Sequence, residues 1–74
     1  MQEIEFELKT EYIDLLQLLK ATDLAMSGGE AKMFVDEEMI TVNGELEHRK
    51  RRKLRVGDVV VLDELVQVTL INYL

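Results

Sequence analysis

The sequence predicts an α+β fold, two helices packed on a small, mostly antiparallel sheet. Three observations carry that expectation. Ile4, Phe6 and Leu8 alternate with Glu3, Glu5, Glu7 and Lys9, the period of two that marks a strand with one buried face. Two later stretches space their apolar residues as helices do. Asn43-Gly44 then sits between apolar runs, the dipeptide best suited to a tight type I′ hairpin turn.

Taken in order, the first strand ends at Thr10, which can cap a helix, with Glu11 favourably placed near its start. Tyr12, Leu15, Leu16 and Leu19 follow i, i+3, i+4, i+7 spacing and give that helix a buried face, ending near Thr22. Ser27 with Glu30 forms a Ser-x-x-Glu capping box for a second helix, whose buried face is Ala31, Phe34 and Val35. Ile40 and Val42 lead into the Asn43-Gly44 turn, and Leu46 continues beyond it. A basic run follows. Gly57-Asp58 is a turn, Val59 to Leu62 a strand, Asp63-Glu64 a second turn, and Val66, Val68 and Leu70 alternate in a last strand. The expected core is Ile4, Phe6, Leu16, Leu19, Ala31, Phe34, Val35, Val42, Leu54, Val60 and Val68.

At 74 residues there is room for one domain, 1–74, of modest stability. An apolar content of 47%, spread along the chain, argues against disorder. The chain has no cysteine, so it has neither a disulfide framework nor a thiolate metal site. No apolar run approaches the roughly 18 residues that span a bilayer. The start carries three glutamates and lacks the basic, then apolar, order of a secretion signal. A cytoplasmic location is the expectation.

The net charge of −6 conceals a sharp segregation. Six of the nine basic residues are Arg49, Lys50, Arg51, Arg52, Lys53 and Arg55, and no acid lies from His48 to Gly57. The remainder holds three basic and fifteen acidic residues, a balance of −12. Such separation suggests one face for an anionic partner and a remainder that repels it. The bland alternative is a solvated loop that offsets local acidity. The density of charge in the run has no structural use evident from sequence.

Chemistry is otherwise scarce. Ser27, the only serine, is explained as a helix cap, and His48, the only histidine, reads as a phosphate or base contact beside cations, or as inert, rather than as a general base. Asp36-Glu37-Glu38 could suggest a metal, but consecutive carboxylates near a helix end point in different directions and read as a solvated terminus. No enzyme, metal or cofactor is expected. Gly28-Gly29 leaves uncrowded N–H groups at a helix start, where a phosphate can sit.

The order of these pieces is more telling than any one of them. Leu15-Leu16-x-Leu18-Leu19-Lys20 leads into Ser27-Gly28-Gly29-Glu30-Ala31-Lys32, then Ile40-Thr41-Val42-Asn43-Gly44-Glu45, then Lys53-Leu54-Arg55-Val56-Gly57-Asp58-Val59-Val60. From about residue 12 to 62 this resembles the alpha-L RNA-binding domain, named after small-subunit ribosomal protein S-four. It also occurs in pseudouridine synthases, tyrosyl-tRNA synthetases and a heat-shock ribosome-binding protein. With no other domain attached, the chain is similar to the stand-alone bacterial YaaA-like members.

The resemblance implies a cytoplasmic module that holds structured RNA, ribosomal or transfer, across the start of the second helix and the nearby loops. By position it implicates Ser27, Gly28, Gly29 and Lys32, together with Arg49, Lys50, Arg51, Arg52, Lys53 and Arg55. Many relatives carry arginines where this chain has Glu11-Tyr12 and Gly28, which shifts the cationic role towards Arg49 to Arg55, with Lys20 and Lys32 assisting and His48 alongside. The aromatics are few (Phe6, Tyr12, Phe34 and Tyr73), so recognition by shape and phosphate is expected rather than base stacking. Two rival readings are a basic strip that docks an acidic protein and a ribosome-associated accessory module. A monomer is favoured.

Overall fold

A computed structural model describes residues 1–72, so Tyr73 lies outside the described residues. In chain order the elements are β1 (Gln2–Leu8), β2 (Ile13–Asp14), α1 (Leu15–Ala21), α2 (Gly28–Asp36), β3 (Ile40–Val42), β4 (Glu45–Leu46), β5 (Lys53–Leu54), β6 (Val59–Leu62) and β7 (Val66–Asn72). A five-stranded sheet runs β1-β7-β6-β3-β4, and β2 pairs with β5 in a separate ribbon. Only the β1–β7 pairing is parallel; the others are antiparallel. A parallel pair cannot be joined by a short hairpin. The first and last strands therefore close the sheet across nearly the whole chain.

Both two-residue turns work by left-handed backbone. Asn43 and Gly44 have φ of 53° and 85°, and Asp63 and Glu64 have 48° and 59°. Positive φ at both central residues is the type I′ signature that matches strand twist. The Asn43 side chain adds a clamp, with its Nδ2 donating to Asp58 at 3.0 Å and its Oδ1 accepting from the Val59 N–H at 2.9 Å.

One face of the five-stranded sheet and the inner faces of the helices enclose the core. Leu15, Leu18, Leu19, Ala31, Ile40, Leu54, Val60, Val68 and Leu70 are all essentially inaccessible to water. Three expected core residues, Ile4, Phe6 and Phe34, are only partly buried and pack against its edge. Leu18 and Ala25, not among the expected residues, are buried in it.

Thr10 does not cap α1. The chain first spends Ile13 and Asp14 on the β2–β5 ribbon, and Asp14 caps the helix, accepting from the Gln17 N–H at 2.9 Å. Thr10 instead donates to the Tyr12 carbonyl at 2.8 Å. Tyr12 therefore stands before the helix, exposed, rather than on its buried face. The Ser27 cap is present, accepting from Glu30 N–H at 3.1 Å. Glu30, however, reaches past Ser27 to the Met26 N–H at 2.7 Å, a box one residue wider than expected. Leu46 continues its strand, but its side chain is exposed.

Candidate functional site

The basic run is organised around an acid. Glu47, the residue after β4, continues the ladder by donating its N–H to Ile40 O at 3.0 Å. Its side chain is only 6% exposed, and it lies among arginines. Arg49 donates its backbone N–H at 2.9 Å and its Nε at 3.0 Å to Oε2, and its Nη2 at 3.2 Å to Oε1. Arg52 donates Nη1 to Oε1 at 2.9 Å. The Arg49 hydrogen bonds, with the one from Arg52, outweigh the opposing effect of burial and hold the pKa of the Glu47 carboxyl at about 2. The backbone closes the same turn: Arg52 N–H donates to Arg49 O at 3.3 Å, and Arg52 O accepts from Leu15 N–H at 2.9 Å. The density of charge thus has a structural use that the sequence did not reveal, since two of its arginines hold the loop to Glu47 and α1.

Arg51 points the other way, with a side chain 80% exposed. Its Nη1 lies 3.7 Å from Asp14 Oδ2, while Asp14 Oδ1 caps α1. Arg51, Lys20, Lys32 and Gly28 line one groove of about 230 Å³, together with Asp14, Leu16 and Gln17. Gly28 opens α2, so the groove lies against the helix end whose free N–H groups carry partial positive charge. No atom stands within 4 Å of where a Gly28 Cβ would be, so this backbone is open to a visitor. A second groove of about 500 Å³, lined by Arg49, Arg51, Arg52 and Lys53, adjoins it through Arg51.

Lys53 and Arg55 extend the cationic surface to Glu11 and Tyr12, just before β2. Lys53 Nζ lies 4.8 Å and Arg55 Cζ 5.6 Å from the centre of the Tyr12 ring. Arg55 also donates to Glu11 Oε1 at 3.2 Å, and its N–H donates to Asp58 at 2.8 Å. The exposed aromatic therefore serves as a rest for two cations.

The expected residues do not all converge. Lys50 Nζ pairs with Asp36 at 2.8 Å, at the far end of α2 from Ser27, Gly28 and Gly29. That pair gives the carboxylate at the helix end a partner. Ser27 Oγ is occupied as the cap, and His48 is exposed at the mouth of the loop. Among the described residues, no cluster of three or more His, Asp or Glu could hold a metal, and no helix is long and apolar enough to cross a membrane. Glu47, Asp14 and Tyr12 are the site residues that sequence reasoning missed. The one available signal was Glu47-x-Arg49, an acid directly beside a run of cations.

Comparison with known proteins agrees with this arrangement. A family model described as S4 domain matches residues 6–69. A protein of Bacillus subtilis (strain 168), called probable ribosome maturation protein RlbA, is 44% identical over 63 residues, spanning 85% of this chain and 89% of that protein. With most of its length matched in both comparisons, the chain belongs to the S4 domain family.

Proposed function

We propose that the chain is an RNA-binding module that acts in ribosome maturation by holding structured RNA through its phosphates. The observation that carries this reading is the groove where Lys20, Lys32 and Arg51 meet the Gly28 end of α2. Three cations and free helix N–H groups around one concavity suit a phosphate oxygen cluster. The loop beside it, with Arg49 and Arg52 held by Glu47 and Lys53 held over Tyr12, is shaped before any ligand arrives. Fixing cations in advance lowers the ordering cost of binding. Arg51 is itself exposed and stands 3.7 Å from Asp14, a long contact to a carboxylate that already caps α1, so Arg51 can turn to a phosphate at small cost.

The relative's printed name, probable ribosome maturation protein, favours ribosomal RNA over other structured RNA. In this reading the module is a cytoplasmic, non-enzymatic monomer, and residues 1–74 act as one unit. The rival in which the basic strip docks an acidic protein is tested by the same experiment. Lys20→Gln, Lys32→Gln and Arg51→Gln, combined, remove three charges and spare the Glu47 clamp. Titration of a folded ribosomal RNA fragment at about 100 mM salt should show affinity reduced at least tenfold, with an unchanged melt. Equal binding by the variant and wild type removes the groove from the function.

A further inference from the structure

β6 is apolar at all four positions, Val59, Val60, Val61 and Leu62. A strand with one solvated face alternates apolar with polar residues; unbroken apolar runs belong to strands covered on both faces. Here only one face is covered. Val60 and Leu62 are buried in the core, while Val59 and Val61 point away from it, half-buried. Register sets Val61 between Thr41 and Gln67 and Val59 beside Thr69. By the same alternation Ile71 and Leu46 share the outer face, and Leu46 is 44% exposed. No described helix lies over these residues.

The border of the patch specifies the chemistry of what covers it. Glu3, Glu5 and Glu7 stand exposed on the outer face of the neighbouring β1. At the β6–β7 hairpin end, Glu38, Asp63 and Glu64 line a groove of about 570 Å³ whose floor is Met39, Thr41 and Val61. None of the five strands of this sheet carries a lysine or arginine. Such a border repels nucleic acid and anionic lipid alike, and it attracts cationic side chains with apolar stems.

We propose that this outer face docks a basic protein segment, which sets apolar side chains on Val59, Val61 and Ile71 and lysines or arginines against the surrounding carboxylates. The surface is separate from the basic groove, so this inference holds or fails independently of RNA binding. A second copy of the chain is a poorer occupant. Six of its nine basic residues lie in 49–55, where the one apolar residue, Leu54, is fully buried and cannot be set on Val59 or Val61.

The test is a titration of the isotope-labelled full chain with a short peptide alternating lysine and valine, followed by amide NMR shifts. Two control peptides replace lysine by glutamate or valine by serine. At peptide concentrations up to about 1 mM, shifts should concentrate at Val59, Val61, Thr69 and Ile71 and be absent with the glutamate control. Val61→Thr, nearly isosteric and on the outer face, should weaken the peptide about fivefold, as should the pair Glu3→Gln and Glu5→Gln. RNA binding by these variants should be unchanged. The proposal is overturned by an absence of shifts, by shifts confined to residues 49–55, or by a lysine–serine peptide that binds as well. Shifts at the same residues that grow with protein concentration alone overturn it in favour of a second copy.

Discussion

At Glu47, burial and hydrogen bonding pull in opposite directions. Burial alone raises a carboxyl pKa, yet Arg49 and then Arg52 hold this one at about 2, below its ordinary value of 4.5. A carboxyl whose folded pKa is depressed contributes stability that is full above the unfolded pKa and lost as pH falls towards the folded one. Thermal melts should therefore fall between about pH 5 and pH 2, and Glu47→Gln should flatten part of that fall while costing about 1–3 kcal/mol at neutral pH. Parallel melting curves for the two proteins across that range would contradict the account. Ser27→Ala should cost about 1 kcal/mol in the same assay through loss of the bond to the Glu30 N–H. The Ser27 cap was legible because its partner lies three residues away. Glu47 was not, because its burial depends on β3 and on arginines brought back by the loop.

The elements follow the same division between local and distant causes. Strand alternation, the α2 start, the type I′ turn at Asn43-Gly44 and the presence of a turn at Asp63-Glu64 were readable, since each is decided within a few residues. The β2–β5 ribbon was not, because Ile13 and Leu54 are separated in the chain by both helices and the β3–β4 hairpin and meet only through tertiary structure. Missing it moved the helix start to Thr10 and put Tyr12 on the wrong face. Phe34 shows a related limit: the 3.6-residue period gave its side correctly, but how deeply that side is covered is set by tertiary packing, which leaves it partly buried against the core. Phe34→Ala should accordingly cost about 1–3 kcal/mol, less than a fully buried phenylalanine does, as read from denaturant melts. The Asp63-Glu64 turn offers the opposite sign. Glu64 sits at φ 59°, where a side chain is strained and glycine is not. Glu64→Gly should stabilise by about 0.5–1 kcal/mol, seen as a Tm several degrees higher. A lower Tm would mean that the Glu64 side chain holds the turn in some other way.

Over the whole molecule, charge is divided between two surfaces. Cations from α1, α2 and the 49–55 loop gather at the Gly28 end of α2, while the five strands of the sheet carry acids and no lysine or arginine. The division was visible in sequence as a run of six cations in a chain otherwise at −12, and so was the anionic nature of the expected partner. What the sequence could not provide was convergence: Lys20, Lys32 and Arg51 are far apart in the chain and share a groove only through the packing of α1 against α2. Convergence is what separates a phosphate site from a merely basic patch. A basic patch follows charge density alone, whereas a shaped site prefers a ligand whose phosphates match it.

The most direct test is therefore affinity as a function of salt for two polyanions, a folded ribosomal RNA fragment and heparin at matched charge. If about four to six phosphates are engaged, log affinity for the RNA should fall with log salt at a slope near −3 to −5, and removing Lys20, Lys32 and Arg51 charges should reduce that slope by about two to three. At about 100 mM salt the wild-type chain should prefer the RNA to heparin. Preference for heparin, or no RNA binding at that salt, would contradict the central claim.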